Sequence, residues 1–431
     1  MQSNSLHTGS SNQAAPNISA DTLYKLGCIL ETGDGMVKDP AQAVGCYQAA
    51  ANAGHMEAKL ALGRCYEYGI GVGCDWKRAF AIYEELAAKD YGPGVCALAG
   101  CYAYRHGVRA DRSKANELYL SAAGLGCAEA MLELAGSFRC GLGVKKNAHM
   151  AFGLYTAAAA AGSAEGMYAL GCCYLKGEGT IQDPVQAVKW LRQSTELKDA
   201  CAMFQLGVCC AEGVGTAESM AEAEDWLCQA AKLDARFTAM AVAIKHCSDI
   251  PTSQLEHPDA VAENLQWLAE DGNNLARRLL ANFYRYGIGV PKDGAAAEML
   301  LIQAAEAGSI PAMRTLAENR QYGFGVEKDV QLALQWYDRA VQQGDAVSMR
   351  ILAELYMDGI DGAPDPDLAV RLYESAAQLG DDEAAYRLAE HYLSGALPCD
   401  PENTREKAHA LLVQAAQLGH ADAAFRLTQL F

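Results

Sequence analysis

Leucine recurs every 36 residues along almost the whole chain, inside a pattern of apolar and polar positions typical of amphipathic helices. The recurring leucines are Leu26, Leu62, Leu98, Leu134, Leu170 and Leu206, followed by Leu280, Leu316, Leu352 and Leu388. In most periods an aromatic side chain follows four residues later, as Tyr66 follows Leu62, so the two share one helical face. A fixed period of this length indicates an array of helical repeats.

Each period predicts two helices joined by a glycine-rich turn. The first, here called helix A, carries the leucine and meets a Gly-x-Gly turn such as Gly69 to Gly71, where glycine supplies the left-handed backbone that ends a helix. The second, helix B, begins at an aspartate N-cap followed by proline, as at Asp39-Pro40 and Asp183-Pro184.

Helix B also repeats a small residue followed four positions later by a large one. The small residues are Ala43, Ala79, Ala115, Ala151, Ala187, Ala223, Ala297, Ala333, Ala369 and Ala408. The large ones are Tyr47, Tyr83, Tyr119, Tyr155, Leu191, Leu227, Leu301, Tyr337, Tyr373 and Leu412. Small residues facing large ones let antiparallel helices interlock closely. The sequence therefore predicts an all-α, right-handed α/α superhelical solenoid of eleven helix pairs and one terminal helix.

The pattern divides the chain into five segments. Residues 1–18 are rich in Ser, Asn and Gln and are expected to be a disordered tail. Repeats one to six occupy 19–234, a degenerate seventh repeat 235–272, and repeats eight to eleven 273–420. The terminal helix, 421–431, is expected to cap the array, because end repeats need a covered outer surface.

These residues resemble Sel1-like repeats, a subclass of the tetratricopeptide-like helical repeats. The match is closest where Gly289-Val290 and Gly325-Val326 precede a Lys-Asp pair and where Trp336-Tyr337 follows. The resemblance covers roughly 19–431 and implies a protein-binding scaffold or adaptor. A secreted, cysteine-rich branch of the family is linked to penicillin binding and β-lactamase activity, and it carries a regular cysteine pair in each repeat. Here Cys127 follows Gly126, but Ala123 stands where its partner is expected.

Charge narrows the range of partners. The formal net charge is −18, which is the wrong sign for neutralising nucleic-acid phosphates. Acidic residues are most enriched in 251–431, which favours basic partners. The N-terminus shows no signal-peptide pattern and the chain has no apolar stretch long enough to cross a bilayer, so we expect a cytoplasmic protein without direct membrane insertion.

Cysteines are numerous but form no metal or catalytic pattern. The chain has sixteen cysteines, and Cys65, Cys101, Cys173 and Cys209 share one register in helix A. Repeats stack about 8–10 Å apart, whereas a disulfide needs Cα atoms within about 7 Å, so we interpret these four as buried, reduced packing residues. No Cys-x-x-Cys spacing suggests zinc. The sequence predicts no catalytic residue, no metal and no cofactor. The tryptophans, in or beside helix B, are interpreted as packing residues.

Three functions remain open. The first is a non-catalytic scaffold that binds a protein or peptide along the concave helix A surface of the array. The second is an enzyme of the β-lactamase-like, cysteine-rich branch. The third is a regulatory module that self-associates.

By analogy with tetratricopeptide arrays, the concave surface includes the positions two residues before and two after the helix A leucine. The candidate partner-binding residues are Tyr24, Leu132, Tyr168, Phe204, Arg278, Arg314, Glu318, Arg350, Glu354, Tyr386 and Glu390. We expect a partner segment to be anchored at Tyr168 and Phe204. Two alternatives stay open: the apolar residues are core, or arginines pair with Glu318 and Glu354 four residues later and bind nothing else.

Overall fold

The computed structural model describes residues 19–248, 257–359, 364–397 and 401–430. The expected tail, 1–18, lies outside the described residues. So do residues 249–256 of repeat seven and the final residue. The chain forms two compact units, residues 1–202 (unit 1) and residues 203–431 (unit 2). The boundaries assigned to individual repeats stay predictions.

In the described ranges the chain is entirely helical, with a single short 3₁₀ turn at Ala235–Phe237. The first helices are α1 (Ala20–Thr32), α2 (Pro40–Asn52), α3 (Met56–Tyr68), α4 (Trp76–Ala87), α5 (Gly92–Tyr104), α6 (Arg112–Gly124), α7 (Ala128–Cys140), α8 (Ala148–Ala160), α9 (Ala164–Lys176), α10 (Pro184–Glu196), α11 (Ala200–Glu212) and α12 (Met220–Leu233). The remainder are α13 (Thr238–Ser248), α14 (Pro258–Glu270), α15 (Asn274–Tyr286), α16 (Gly294–Glu306), α17 (Ile310–Tyr322), α18 (Val330–Gln342), α19 (Ala346–Asp358), α20 (Pro366–Gln378), α21 (Asp382–Leu393), α22 (Pro401–Leu418) and α23 (Ala421–Leu430).

Odd-numbered helices up to α21 are helix A of a repeat, and even-numbered helices are helix B. The two helices contact one another in the pairs from α1 and α2 to α9 and α10 and from α13 and α14 to α21 and α22, and α23 contacts α22. The predicted fold class, an all-α array of paired helices of the solenoid type, is confirmed.

The core of each repeat lies between its two helices, where the recurring residues predicted from the sequence meet. From Leu62 onward the helix A leucines are buried, and so are the alanine and the large residue of helix B. Gly63 in α3 lies so close to the ring of Tyr83 in α4 that an ideal Cβ on the glycine would be 2.4 Å from Cε1. The small residue after the leucine therefore receives the large residue of helix B.

Local signals set the ends of the helices as expected. The carboxylate of Asp39 accepts from the Gln42 backbone N–H at 3.0 Å, and Asp183 accepts from Gln186 at 3.0 Å, in each case before a proline at the first helical position. Arg105 occupies the place of the first turn glycine in repeat three and takes the same left-handed backbone, with φ of 68°.

Candidate partner-binding surface

The helix A face is defined here by the positions two residues before and two after each helix A leucine. Glu318 is exposed, and the other ten candidate residues are half-buried. Partial exposure of this kind is compatible with a groove lining and argues against the alternative that the apolar members are fully enclosed core.

The position two residues before the helix A leucine makes a contact that recurs in several repeats. In unit 1 the Tyr24 ring lies on the imidazole of His55, with ring centroids 4.8 Å apart. His55 is the N-cap of α3, where its Nδ1 accepts from the Ala58 backbone N–H. The position two before the leucine thus meets the residue that begins the next helix A, 31 residues further along the chain.

The same 31-residue contact in unit 1 brings two thiols together. The thiol of Cys96 in α5 interacts with that of Cys127, the N-cap of α7. Cys96 is buried, and Cys127 is half-buried against the same apolar cluster. A Cβ built on Gly92, one helical turn before Cys96, would lie 3.5 Å from the Cβ of Cys127.

Tyr168 occupies the equivalent position in α9. Burial raises the pKa of its hydroxyl, and the neighbouring Cys172 raises that pKa further. Cys172 lies one turn later, and burial raises the pKa of its thiol. Both groups therefore stay neutral near pH 7 and present a largely apolar surface.

Carboxylates border the apolar side chains of the unit 1 helix A face, here called the apolar strip, which includes Tyr24, Leu132 and Tyr168. Desolvation raises the pKa of Glu165, and the negative charges of Asp199, Glu133 and Glu129 raise it further, so the four side chains share one electrostatic environment. Arg64 approaches Glu129 at 3.8 Å, but both side chains are about half exposed or more, so water screens the pair. The strip consequently has an acidic margin.

In unit 2 the same positions carry arginines that contact the start of the next helix A. Arg314 Nη1 donates to Asp345 Oδ1 at 2.9 Å, and Arg350 Nε donates to Asp381 Oδ1 at 3.2 Å. Both aspartates cap the helices they precede. Arg314 also pairs with Glu218.

Arg278 follows this arrangement with an added carboxylate. The residue 31 positions after it, Ser309, is the N-cap of α17 and carries no charge. Glu212, at the end of α11, lies between them: its Oε1 accepts from Arg278 Nη1 at 2.6 Å, and its Oε2 accepts from the Ser309 hydroxyl. Glu212 is buried. The carboxylate therefore joins repeat six to repeats eight and nine.

Of the two predicted arginine–glutamate pairs four residues apart, one is present: Arg350 and Glu354 approach to 3.7 Å. Arg314 instead forms ion pairs with Glu218 and Asp345. The physical reason at Arg314 is the proximity of Asp345, an N-cap whose carboxylate is already held by a backbone N–H group.

The other aromatic candidates have intramolecular partners. Phe204 stacks on Phe237, with ring centroids 4.6 Å apart. Tyr386 stacks on His420 at 4.4 Å. Glu390 accepts from Arg426 Nη2 in α23 at 2.8 Å, so the terminal helix contacts the last part of this face.

Two tryptophans depart from the packing interpretation. Trp336 is buried, but Trp267 is 66% exposed and Trp76 is 47% exposed. The Trp76 indole stacks on His106, with ring centroids 5.2 Å apart, beside an open groove of about 680 Å³. At this position the tryptophan stacks on a residue of a turn instead of being buried between helices.

Among the described side chains, no three His, Cys, Asp or Glu residues lie close enough to hold a metal ion. Of the helices in the placed ranges, none combines the length and apolar character needed to cross a bilayer.

Comparison with known proteins gives a family. The Sel1 repeat model matches residues 20–55, 57–91, 94–127, 128–163, 164–199, 202–234, 274–309, 310–345, 346–381 and 382–420. A comparison with curated proteins found no match.

Solved structures with similar architecture were also found. A protective antigen of uropathogenic Escherichia coli with an SLR fold is 23% identical over 96% of this chain and 88% of that one, with a TM-score of 0.47. A Sel1 repeat protein from Oxalobacter formigenes is 22% identical over 83% and 91%, with a TM-score of 0.38. Yeast Tom70 is 16% identical over 95% and 94%, with a TM-score of 0.36. On the ten matched segments, the chain belongs to the Sel1 repeat family.

Proposed function

We propose that the chain is a non-catalytic scaffold or adaptor that binds a protein segment along the helix A face of unit 1. Repeat folds of this class generally mediate protein–protein interaction. The observation that carries the proposal is the apolar character of one position in repeats one to five: Tyr24, Leu132 and Tyr168 are half-buried there, while Leu60 and Cys96 are buried. Aromatic side chains in such grooves often dominate binding energy.

The partner is proposed to combine apolar anchors with basic residues. The strip offers apolar contacts at Tyr168, while Glu129, Glu133 and Glu165 supply negative charge beside it. Charge of this kind accelerates association with a basic segment and orients it more than it adds affinity. The unit 2 face is a weaker candidate, since its arginines already have carboxylate partners.

The test is affinity capture from the native host followed by titration of the captured protein. We expect the double substitution Tyr24→Ala and Tyr168→Ala to weaken binding at least about tenfold, because each truncation removes an aromatic contact. Trp267→Ala removes an aromatic side chain that is 66% exposed on α14, and it serves as the matched control. Circular dichroism verifies that both variants remain folded.

Charge is tested separately by Glu129→Lys combined with Glu133→Lys. A basic partner should associate more slowly with this variant and show a weaker dependence on salt. Unchanged affinity for the folded tyrosine variant would refute the proposed surface. If light scattering shows a concentration-dependent dimer that the tyrosine substitutions abolish, the face instead mediates self-association.

A further inference from the structure

We propose that Cys96 and Cys127 form a reversible disulfide when a peroxide oxidises the protein, and that this bond locks α5 to α7. Cys127 packs against the apolar cluster that contains Cys96, and the two thiols interact. The N-cap of α7 also lies against the first turn of α5, as the 3.5 Å approach at Gly92 shows. This redox site goes beyond the partner-binding function and does not depend on it.

The two sulfurs come together because Cys96 and Cys127 occupy different positions within their repeats. Cys65 and Cys101 occupy the same register in successive helices, where helix packing separates their backbones by more than a disulfide spans. Cys127 instead is the N-cap that begins α7, 31 residues after Cys96. Side chains of the preceding helix A contact this N-cap position. The pair therefore meets although neither cysteine belongs to the series in register.

Cys127 has the properties of an attacking thiolate. The interaction with the Cys96 thiol lowers the pKa of Cys127, burial opposes this effect, and the backbone at Ala130 lowers the pKa further. Partial exposure leaves its sulfur open to a small oxidant. Burial instead raises the pKa of Cys65, Cys101 and Cys173, which keeps those thiols protonated and poorly reactive.

Cys96 has the complementary properties of a resolving thiol. The interaction with Cys127 and burial raise its pKa, so Cys96 remains protonated. Its sulfur is buried and adjacent to Cys127, which limits access by bulk oxidant while permitting attack on the neighbouring sulfur.

The chemistry has two balanced steps. The Cys127 thiolate attacks hydrogen peroxide, the O–O bond breaks, and a sulfenic acid forms with release of hydroxide. The Cys96 sulfur then attacks the Cys127 sulfur, the S–O bond breaks, and the Cys96 proton leaves with the departing oxygen as water. Two thiols are oxidised and one peroxide is reduced to two molecules of water. A dithiol reductant reverses the change.

The experiment treats the reduced full-length protein with one equivalent of hydrogen peroxide, blocks remaining thiols and maps peptides without reduction. We expect a linked pair of peptides containing Cys96 and Cys127, formed at least about tenfold faster than modification of the other thiols. Dithiothreitol should restore both thiols.

Variants assign the roles. Cys127→Ser should abolish the fast reaction, whereas Cys96→Ala should leave a sulfenic acid on Cys127 that dimedone traps. Cys74→Ser removes an exposed thiol, and Cys101→Ala removes a buried thiol of α5, the helix that carries Cys96. Both variants should react like the parent protein. Circular dichroism verifies folding, and the exposed-thiol control remains informative if a core variant unfolds. A fast phase retained in Cys127→Ser, or a linked peptide joining other cysteines, would overturn the proposal.

Discussion

The two units use one contact of the repeat for different chemistry. In unit 1 the side chain two residues before the helix A leucine meets the next N-cap through ring stacking at Tyr24 or a thiol pair at Cys96. In unit 2 the arginines at this position form ion pairs, as between Arg314 and Asp345, whereas Tyr386 stacks on His420. The repeat therefore fixes where the contact lies, while the residue types decide whether that surface is apolar or charged.

The difference has consequences for binding and stability. An apolar strip bordered by acids leaves surface that a partner can cover. Arginines held by carboxylates already satisfy their donors, and separating such a half-buried pair leaves an uncompensated charge. We therefore expect unit 2 to be stabilised by its helix A face and unit 1 to use that face for recognition. Four predictions test this contrast.

The largest effect is expected at Glu212. Glu212→Gln removes the buried charge that pairs with Arg278, and we expect it to destabilise unit 2 by about 3 kcal/mol. Glu129→Gln, which weakens the exposed pair with Arg64 in unit 1, should cost below about 1 kcal/mol. Urea unfolding monitored by amide hydrogen exchange distinguishes the units. Equal, small effects of the two substitutions would remove the contrast.

The second effect is on unit 1 and requires oxidant. A disulfide between Cys96 and Cys127 closes a loop of 31 residues and should stabilise unit 1 by about 3 kcal/mol. Hydrogen exchange of oxidised and reduced protein measures the gain, which should be confined to unit 1. Oxidant-treated Cys127→Ser is the control. Stabilisation of both units alike, or of the Cys127→Ser variant, would contradict this prediction.

The fold could be predicted from the sequence because its determinants are local. The leucine period, the Asp-Pro caps and the alternation of small and large residues each act within one repeat, and the structure buries Leu170, Ala187 and Leu191 as that pattern requires. Even the substituted turn at Arg105 keeps the left-handed backbone of its glycine counterparts.

The contacts of the candidate surface were less predictable because they join different repeats. The link from Glu212 to Ser309 spans 97 residues and has no counterpart in the 36-residue pattern. Phe204 stacks on Phe237, which lies in the degenerate repeat where the periodic alignment fails. A 31-residue offset would have related Cys96 to Cys127, but that offset depends on knowing where helix A begins relative to its neighbour.

The third prediction concerns how closely the helices approach in unit 1. Gly63→Ala places a methyl group against the buried Tyr83 ring, and we expect the overpacking to destabilise the protein by about 2 kcal/mol. The equivalent position in α7 of the same unit already carries alanine, Ala135, in one cluster with Tyr155. Gly45→Ala in α2, with no atom within 4 Å of its new Cβ, should instead stabilise by about 1 kcal/mol. Urea midpoints compare the two, and a neutral Gly63→Ala would show that the pair α3 and α4 accommodates the methyl group as the pair α7 and α8 does.

The smallest effect is a pH dependence confined to unit 2. Burial lowers the pKa of His391, and the positive charge of Arg387 lowers it further, against the opposing charges of Glu354 and Asp358. The Tyr373 hydroxyl lies 3.4 Å from Nε2. Since the unfolded chain binds a proton on this histidine more readily, stability is fully present above about pH 6.5 and falls as the pH decreases towards the folded-state pKa.

His391→Asn should remove this contribution, which we expect to be less than about 1 kcal/mol between pH 7.5 and 5.5. The informative quantity is the difference between parent and variant in the change of urea midpoint with pH. His149→Asn is the matched control, because His149 is exposed in unit 1 and contacts a backbone carbonyl. If both variants change the pH profile equally, or if His391→Asn leaves it unchanged, the buried imidazole does not couple protonation to the stability of unit 2.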